Sequence, residues 1–453
     1  MSSRAYNEGM ISLERYHHLL QQIDPITSRG HVRQVIGNVI EAEGPAAELG
    51  ELCLIDCGGH VSRAEVVGFR DTTVLLMALD EILGIRPGSP VEATGLPQLI
   101  PVGPELLGRV LDPLGTPLDG KPAPLTAQKY PLDSQPPSPM VRNRIQTPLE
   151  TGIRAIDSLL TLGQGQRMGI FSGSGVGKST LMGMVARYAS ADVNVIGLIG
   201  ERGREVRDFI EQDLGPEGMA RSVVIAVTSD QPALLRIKGA FAATAVAEYF
   251  RDQGQRVMLM MDSVTRFAMA RREVGLAIGE PPATRGYTPS VFTLLPKLLE
   301  RSGNSDRGSI TALYTVLVEG DDTNEPISDT VRGILDGHIF LSRAIAARNH
   351  YPAIDVLNSL SRLAIELTTP EHRAAAGKLR ELIATYQEAE DLIAIGAYVP
   401  GSSASIDRAM ELHDAIDGFL CQAVEVRSDL ETTLKQLLAL VQPPPKPGYM
   451  ARF

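Results

Sequence analysis

Hydrophobic positions change their rhythm three times along this chain of 453 residues. Between Met10 and Ile23, Leu13, Tyr16, Leu20 and Ile23 recur at helical spacing and Pro25 follows as a stop, so an amphipathic helix is predicted within residues 1–28. Its apolar stripe either packs on its own domain or docks on a partner protein. From His31 to Leu96 the texture shifts to short β-branched runs cut by Gly, Asp and Pro: VRQVIGNVIEAEG, ELCLIDCGG, AEVVGFRDTTVLLMAL and SPVEATG. Strands at that spacing predict a small β-barrel over residues 29–98. Gly103 to Pro139 reads as extended connection ending in YPLDSQPPSP, where missing N–H groups discourage sheet and helix alike.

After Thr147 apolar runs alternate with helix-length amphipathic segments, the pattern of a parallel sheet covered on both faces. The predicted strands are RMGIFS, VNVIGLIG, SVVIAVTS, RVMLMMD and ITALYTVLV. Several are apolar throughout, as strands buried on both faces require. Residues 99–368, with the proline-rich connection, are therefore assigned to an α/β domain. Residues 369–453 form a helical one: Pro370 suits a first helical position, and Ser428 with Glu431 has capping-box spacing before LKQLLALV. The tail QPPPKPG ends regular structure.

Charge narrows the function classes. With 43 basic and 54 acidic residues the formal net charge is −11, which disfavours a nucleic-acid motor, since affinity for phosphate backbones comes largely from Lys and Arg. The barrel region also lacks an aromatic and basic platform for single strands, holding Phe69 as its clear aromatic. Three cysteines, Cys53, Cys57 and Cys421, are too few for a disulfide scaffold and suit a reducing cytoplasm. Cys53 and Cys57 have metal-compatible spacing but no matching second pair. No run reaches the roughly 18 uninterrupted apolar residues of a membrane span.

The strongest chemical signal is FSGSGVGKSTL, Phe171 to Leu181, which follows an apolar run and precedes the helix-compatible LMGMVARYA. Strand, glycine loop and helix in that order make a phosphate-binding loop. The stretch Ser172, Gly173, Ser174, Gly175, Val176, Gly177, Lys178, Ser179 and Thr180 supplies backbone N–H groups that turn inward around phosphate oxygens, backed by the positive end of the helix. Lys178 neutralises the outer phosphates and the Ser179 hydroxyl coordinates magnesium. Ser172 stands where the first glycine is usual, a change that removes no phosphate-facing N–H.

Two further segments point to hydrolysis. RVMLMMDS places Asp262 at the end of a buried strand, where reaching a magnesium ion through water is the natural role of a carboxylate. VIGLIGERGREV puts Glu201 just past another, positioned to orient and deprotonate an attacking water, with Arg202 and Arg204 as nearby positive charge.

In that order and spacing, the phosphate loop, GERGREV, MMDSVTRFA and YPAIDVLNSLSR resemble the α/β-type P-loop ATPases, the ring-forming family of rotary ATP synthase subunits and protein-export ATPases. PAIDVLNSLS, Pro352 to Ser361, looks like that family's signature, and the likeness runs from about residue 30 to 440. It implies an N-terminal β-barrel, a RecA-like nucleotide-binding core and a C-terminal α-helical domain, assembled as a homohexamer that hydrolyses ATP with Mg2+. It also implies roles. The catalytic set is Lys178, Glu201, Arg202, Asp262, Arg266 near the γ-phosphate, and Arg362 as an arginine finger for the adjacent subunit; Tyr351 stacks on adenine. PPATRGYTPSVFTLLPKLLERSG and ITALYTVLVEGDDTNEPISD resemble the branch that energises type III protein export, flagellar first and virulence injectisome second. That branch implies a cytoplasmic enzyme, peripheral at the inner-membrane export apparatus. Its partners are a stator-like regulator, a central stalk-like protein, export-gate membrane proteins and chaperone–cargo complexes, with no nucleic acid. The alternatives are a rotary synthase catalytic subunit, a non-catalytic ring subunit, and a hexameric RNA translocase.

Overall fold

The structure is a computed structural model that describes residues 27–318 and 325–442. The predicted helix at 10–23 and the tail beyond 442 lie outside those residues. The chain divides into two compact units between Pro97 and Gln98.

In the first unit six antiparallel strands close on themselves: β1 (Arg29–Ile36), β2 (Val39–Glu43), β3 (Glu51–Asp56), β4 (Val61–Arg70), β5 (Thr73–Ala78) and β6 (Pro90–Pro97), in spatial order β1-β2-β5-β4-β3-β6. Closure leaves no edge strand to recruit a foreign one. Val32, Ile40, Ile55, Val66, Leu76 and Val91 fill the interior. Cys53 sits among them, and burial pushes its thiol up to about 12. Cys57 donates weakly to the Ile55 carbonyl at 3.6 Å.

The second unit is built on a long sheet. Its strands are β7 (Arg109–Leu111), β8 (Arg167–Ser172), β9 (Val193–Glu201), β10 (Ser222–Thr228), β11 (Arg256–Asp262), β12 (Ser309–Leu317), β13 (Gly337–Leu341) and β14 (Ile354–Ser361), in the order β14-β13-β8-β12-β11-β9-β10-β7. All neighbours run parallel except β13 and β14. The five strands expected from apolar runs form its centre. Eight of the nine β9 residues are buried, and Glu201, at the carboxyl end, is the one that emerges. Three strands escaped the sequence reading. β7 has only three residues, β13 alternates mildly, and β14 is the signature segment PAIDVLNSLS, whose polar positions mask its period. The stretch Gly103 to Pro139, read as extended connection, holds β7 and a short strand, Gln128–Pro131, that pairs with Leu99–Val102 ahead of it. Arg109 and Asp119 pair at 2.7 Å to hold the intervening loop.

Helices α1 (Lys178–Tyr188), α2 (Ala233–Asp252) and α3 (Val264–Ala277) pack on the sheet. α1 lies close to the chain at Asp213: a Cβ on Gly183 would come within 2.5 Å of the Asp213 carbonyl oxygen, so only glycine permits the approach. A buried ion pair braces the rear. Arg301, 1% exposed, donates to both carboxylate oxygens of Glu248 at 2.9 and 2.6 Å and to the Leu132 carbonyl at 2.6 Å.

The C-terminal helices are α4 (Pro370–Ala394), α5 (Ala404–Leu420) and α6 (Leu430–Val441). Pro370 opens α4 behind Thr369, whose hydroxyl accepts the His372 N–H. The capping box expected from Ser428 and Glu431 does not form. Asp429 caps α6 by accepting the Thr432 N–H at 2.8 Å, because the helix begins one residue later, while Ser428 Oγ meets Thr433 Oγ1 and Glu431 pairs with Lys435. Leu379, Leu382, Ile416, Phe419 and Leu437 share one apolar core with Met168, Ile170 and Ile339 of the sheet. Polar links reinforce the junction: Arg154 Nε donates to the Phe419 carbonyl at 2.7 Å, and Gln422 Nε2 to the Gly152 carbonyl at 2.8 Å.

Candidate nucleotide-binding site

The carboxyl ends of parallel strands at the middle of a sheet are where an α/β protein gathers its chemistry. Here β8 delivers the glycine loop, β11 Asp262 and β9 Glu201 to one cavity of about 440 Å³. It is lined by Gly173, Ser174, Gly175, Gly177, Lys178, Ser179 and Thr180 from the loop, with Glu201, Arg202, Glu205, Asp262 and Arg266 facing them. Gly177 takes a left-handed φ of 89° directly before α1, the turn that points the helix's first N–H groups into the cavity. Ser172 and Val176 are not among its walls. Ser172 ends β8, 2% exposed, its hydroxyl without a partner, and Val176 is buried in the apolar core beneath the loop.

Lys178 Nζ donates to Asp262 Oδ1 at 2.5 Å, and Thr315 Oγ1 donates to the same oxygen at 2.6 Å. Asp262 is 4% exposed, so these donors stabilise a carboxylate that burial alone would penalise. The N-cap of α3 is the neighbouring Ser263, which leaves Asp262 free to face the cavity. Sequence reasoning did not single out Thr315; a hydroxyl inside an apolar strand is the signal that could have found it.

Glu201 differs from Asp262. Burial, the negative charge of Asp262 and a hydrogen bond to Glu205 raise its proton affinity from the ordinary 4.5 to about 7, against the opposing pull of Lys178 and Arg266. Glu205 moves the other way, held down first by its bond to Glu201. A carboxyl that gains and loses its proton near neutrality is suited to general-base work. Arg266 approaches from α3, packed on Gly200 with its Cβ 3.1 Å from the place a Cβ would occupy, and its Nε is buried without a partner. Arg202, on the cavity wall, is 77% exposed and paired with Glu205, and Arg204 pairs with Asp208 outside the cavity.

Tyr351 and Arg362 stand apart from these walls. The Tyr351 ring lies 3.5 Å from the position of a Gly177 Cβ and is 40% exposed, so it flanks the glycine loop. Arg362 follows β14 at the far edge of the sheet, exposed, with Nη2 donating to the Arg332 carbonyl. The structure also brings in Arg343, which sequence reasoning missed: its guanidinium lies 2.6 Å from where a Gly173 Cβ would be. Among the described residues, Cys53 and Cys57 join no cluster of metal ligands.

Three family models match the chain in succession: the ATP synthase alpha/beta family β-barrel domain over residues 32–95, the nucleotide-binding domain of that family over 152–361, and the EscN-type type III secretion ATPase C-terminal domain over 368–439. A flagellum-specific ATP synthase of Bacillus subtilis is 56% identical over 93% of this chain and 97% of its own length. The chain belongs to the flagellar and type III secretion branch of the ATP synthase alpha/beta family. A type 3 secretion system ATPase of Xanthomonas euvesicatoria is 53% identical over 91% of the chain. The assembled ATPase EscN of enteropathogenic E. coli superimposes with a TM-score of 0.87 at 46% identity, covering 91% of this chain and all of that one. The barrel, nucleotide-binding and helical parts therefore follow the architecture the motifs imply, and the chain is an ATP-hydrolysing enzyme of this branch. Flagellar and injectisome relatives match about equally well.

Proposed function

We propose that the chain hydrolyses ATP to ADP and phosphate as a homohexamer and that this turnover energises type III protein export, flagellar in first reading, by releasing chaperones and unfolding cargo. The observation that carries the reading is the convergence of Lys178, Asp262, Glu201 and Arg266 on one cavity beside the glycine loop. The hydroxyl of Ser179 and the carboxylates of Asp262 and Glu201 form a hard oxygen donor set that fits Mg2+, with Ser179 and Asp262, the latter through water, as its holders. When bound, that ion neutralises charge on the phosphates. The chain's own groups do the rest. The loop N–H groups and Lys178 bind and orient the triphosphate, Glu201 accepts a proton from the attacking water, and Arg266 places positive charge beside the transferred group. Tyr351 supplies a ring face for adenine.

Arg362 lies away from its own subunit's cavity, which supports a role at the neighbour's. The assembled EscN structures, one with its central stalk EscO, support a ring with a stalk-like partner for this chain as well. No described helix is long and apolar enough to cross a membrane. A peripheral location at the inner-membrane export gate, with a stator-like regulator, is the corresponding reading. The match to the export-type C-terminal domain favours this function over a rotary synthase subunit, and Glu201 in the cavity favours a catalytic over a non-catalytic ring subunit.

The test is turnover against protein concentration. Activity per chain should rise as rings assemble, and Arg362→Ala should lower kcat by about a thousandfold or more without loosening ATP binding to the monomer. Monomer that hydrolyses ATP as fast per chain as the ring overturns the assignment.

A further inference from the structure

Cys421 caps the C-terminal end of α5, one turn after Asp417, whose carbonyl accepts its N–H at 2.8 Å. Residues four apart share a helix face, so the thiol and the carboxylate are neighbours. His350, in the turn before β14, completes the group: its Nδ1 lies 3.0 Å from Asp417 Oδ1, and one ligand atom from each of the three side chains lies within 4.8 Å of the others. Nothing in the ATPase chemistry uses these residues.

We propose that His350, Asp417 and Cys421 bind a borderline-soft divalent cation of the zinc class, which clamps the Tyr351 segment to the C-terminal helices. Imidazole, carboxylate and thiolate are the donors such a cation selects, and the two anionic ligands balance its charge. Metal–ligand bonds of about 2.0–2.3 Å in a tetrahedron set ligands roughly 3.3–3.8 Å apart. The present group, with its ligand atoms within 4.8 Å of one another, closes on the ion by side-chain rotation, Asp417 being 54% exposed. A fourth position is open to water, because His350 and Asp417 also line a cavity of about 150 Å³ between β14 and helices α4 and α5.

Neighbouring cations do not occupy the ligand atoms. Arg154 donates to the carbonyls of Phe419 and Cys421, and Arg348 pairs with Glu390 at 2.9 Å. A thiol must lose its proton to bind the ion, so binding expels a proton and tightens as pH rises. Hard Mg2+ has little affinity for a thiolate and does not compete. The clamp acts next to the nucleotide: His350 precedes Tyr351, and the Gln422 N–H, just after Cys421, donates to the Tyr351 carbonyl at 2.9 Å.

Metal-stripped full-length protein titrated with Co2+ as a zinc probe provides the test. One equivalent per chain should bind with a thiolate-to-cobalt charge-transfer absorption, displaced by Zn2+, and Zn2+ should raise the unfolding midpoint. Cys421→Ser should abolish the absorption, Asp417→Asn should weaken Co2+ binding at least tenfold, and the double variant Cys53→Ser, Cys57→Ser should keep it. A normal unfolding midpoint without metal shows that each variant folds. Cobalt that binds without charge transfer, or an absorption that survives Cys421→Ser, overturns the proposal.

Discussion

Glutamate 201 makes the most demanding prediction, because its environment fixes both a rate and a pH. Burial and the Asp262 charge place its proton equilibrium at about 7. The base form is then about one-eleventh of the population at pH 6 and about ten-elevenths at pH 8, roughly a tenfold change. The pH profile of kcat/KM, which reports the free enzyme, should therefore rise through a midpoint near 7. Glu201→Gln keeps the shape and removes the base. Turnover should fall about 10²- to 10⁴-fold, equivalent to ~2.7–5.5 kcal/mol of barrier, while ATP affinity and assembly stay within about threefold. Stability supplies a second readout. Glu201 holds its proton more tightly folded than unfolded, so its contribution is full below pH 4.5 and is lost as pH rises through about 7. The Gln variant should accordingly gain in Tm relative to wild type at pH 8 more than at pH 4.5. Steady-state ATPase assays over pH 5.5–9 (about seven half-unit steps spanning the expected midpoint) and thermal unfolding at about pH 4.5 and pH 8 decide it. Undiminished turnover in Glu201→Gln, or a wild-type profile flat across neutrality, refutes the reasoning.

Two other predictions rest on separate parts of the structure. Tyr351→Ala should weaken ATP binding by about 5- to 150-fold, the ~1–3 kcal/mol of a base–aromatic stack, while Tyr351→Phe stays near wild type in a fluorescent-nucleotide titration. Arg301→Met strands Glu248 in the core, and denaturant unfolding should show a loss of about 3–5 kcal/mol, partly recovered when Glu248→Leu is added.

Much of this architecture was legible in the order of residues, for identifiable reasons. Strands covered on both faces must be apolar throughout, so β8 to β12 announced themselves, and the glycine loop declared the strand and helix on either side. β7 and β14 were hidden because three residues make no pattern and because the signature's Asp355, Asn358 and Ser359 serve local hydrogen bonds instead of a face. Glu201 and Asp262 stand out in the sequence because a carboxylate at the end of a buried strand needs a partner, and both line the cavity. Thr315 meets Asp262 from β12 and Arg343 meets Gly173 from beyond β13, and sequence spacing carries no record of either contact. Arg202 lines the cavity as expected, and its exposed side chain pairs locally with Glu205. The α6 cap shifted by one residue because Asp429 satisfies the Thr432 N–H before Ser428 can reach a helical donor.

The central claim is that Lys178 and the loop before it hold a triphosphate over Glu201 and Asp262. It is tested most directly by measuring ATP affinity and turnover in Lys178→Ala protein whose fold is verified by circular dichroism. Removing a charge-assisted contact of about 1.5–3 kcal/mol should weaken nucleotide binding about 10- to 150-fold and abolish measurable hydrolysis. Affinity and turnover unchanged in the folded variant would contradict the account at its root.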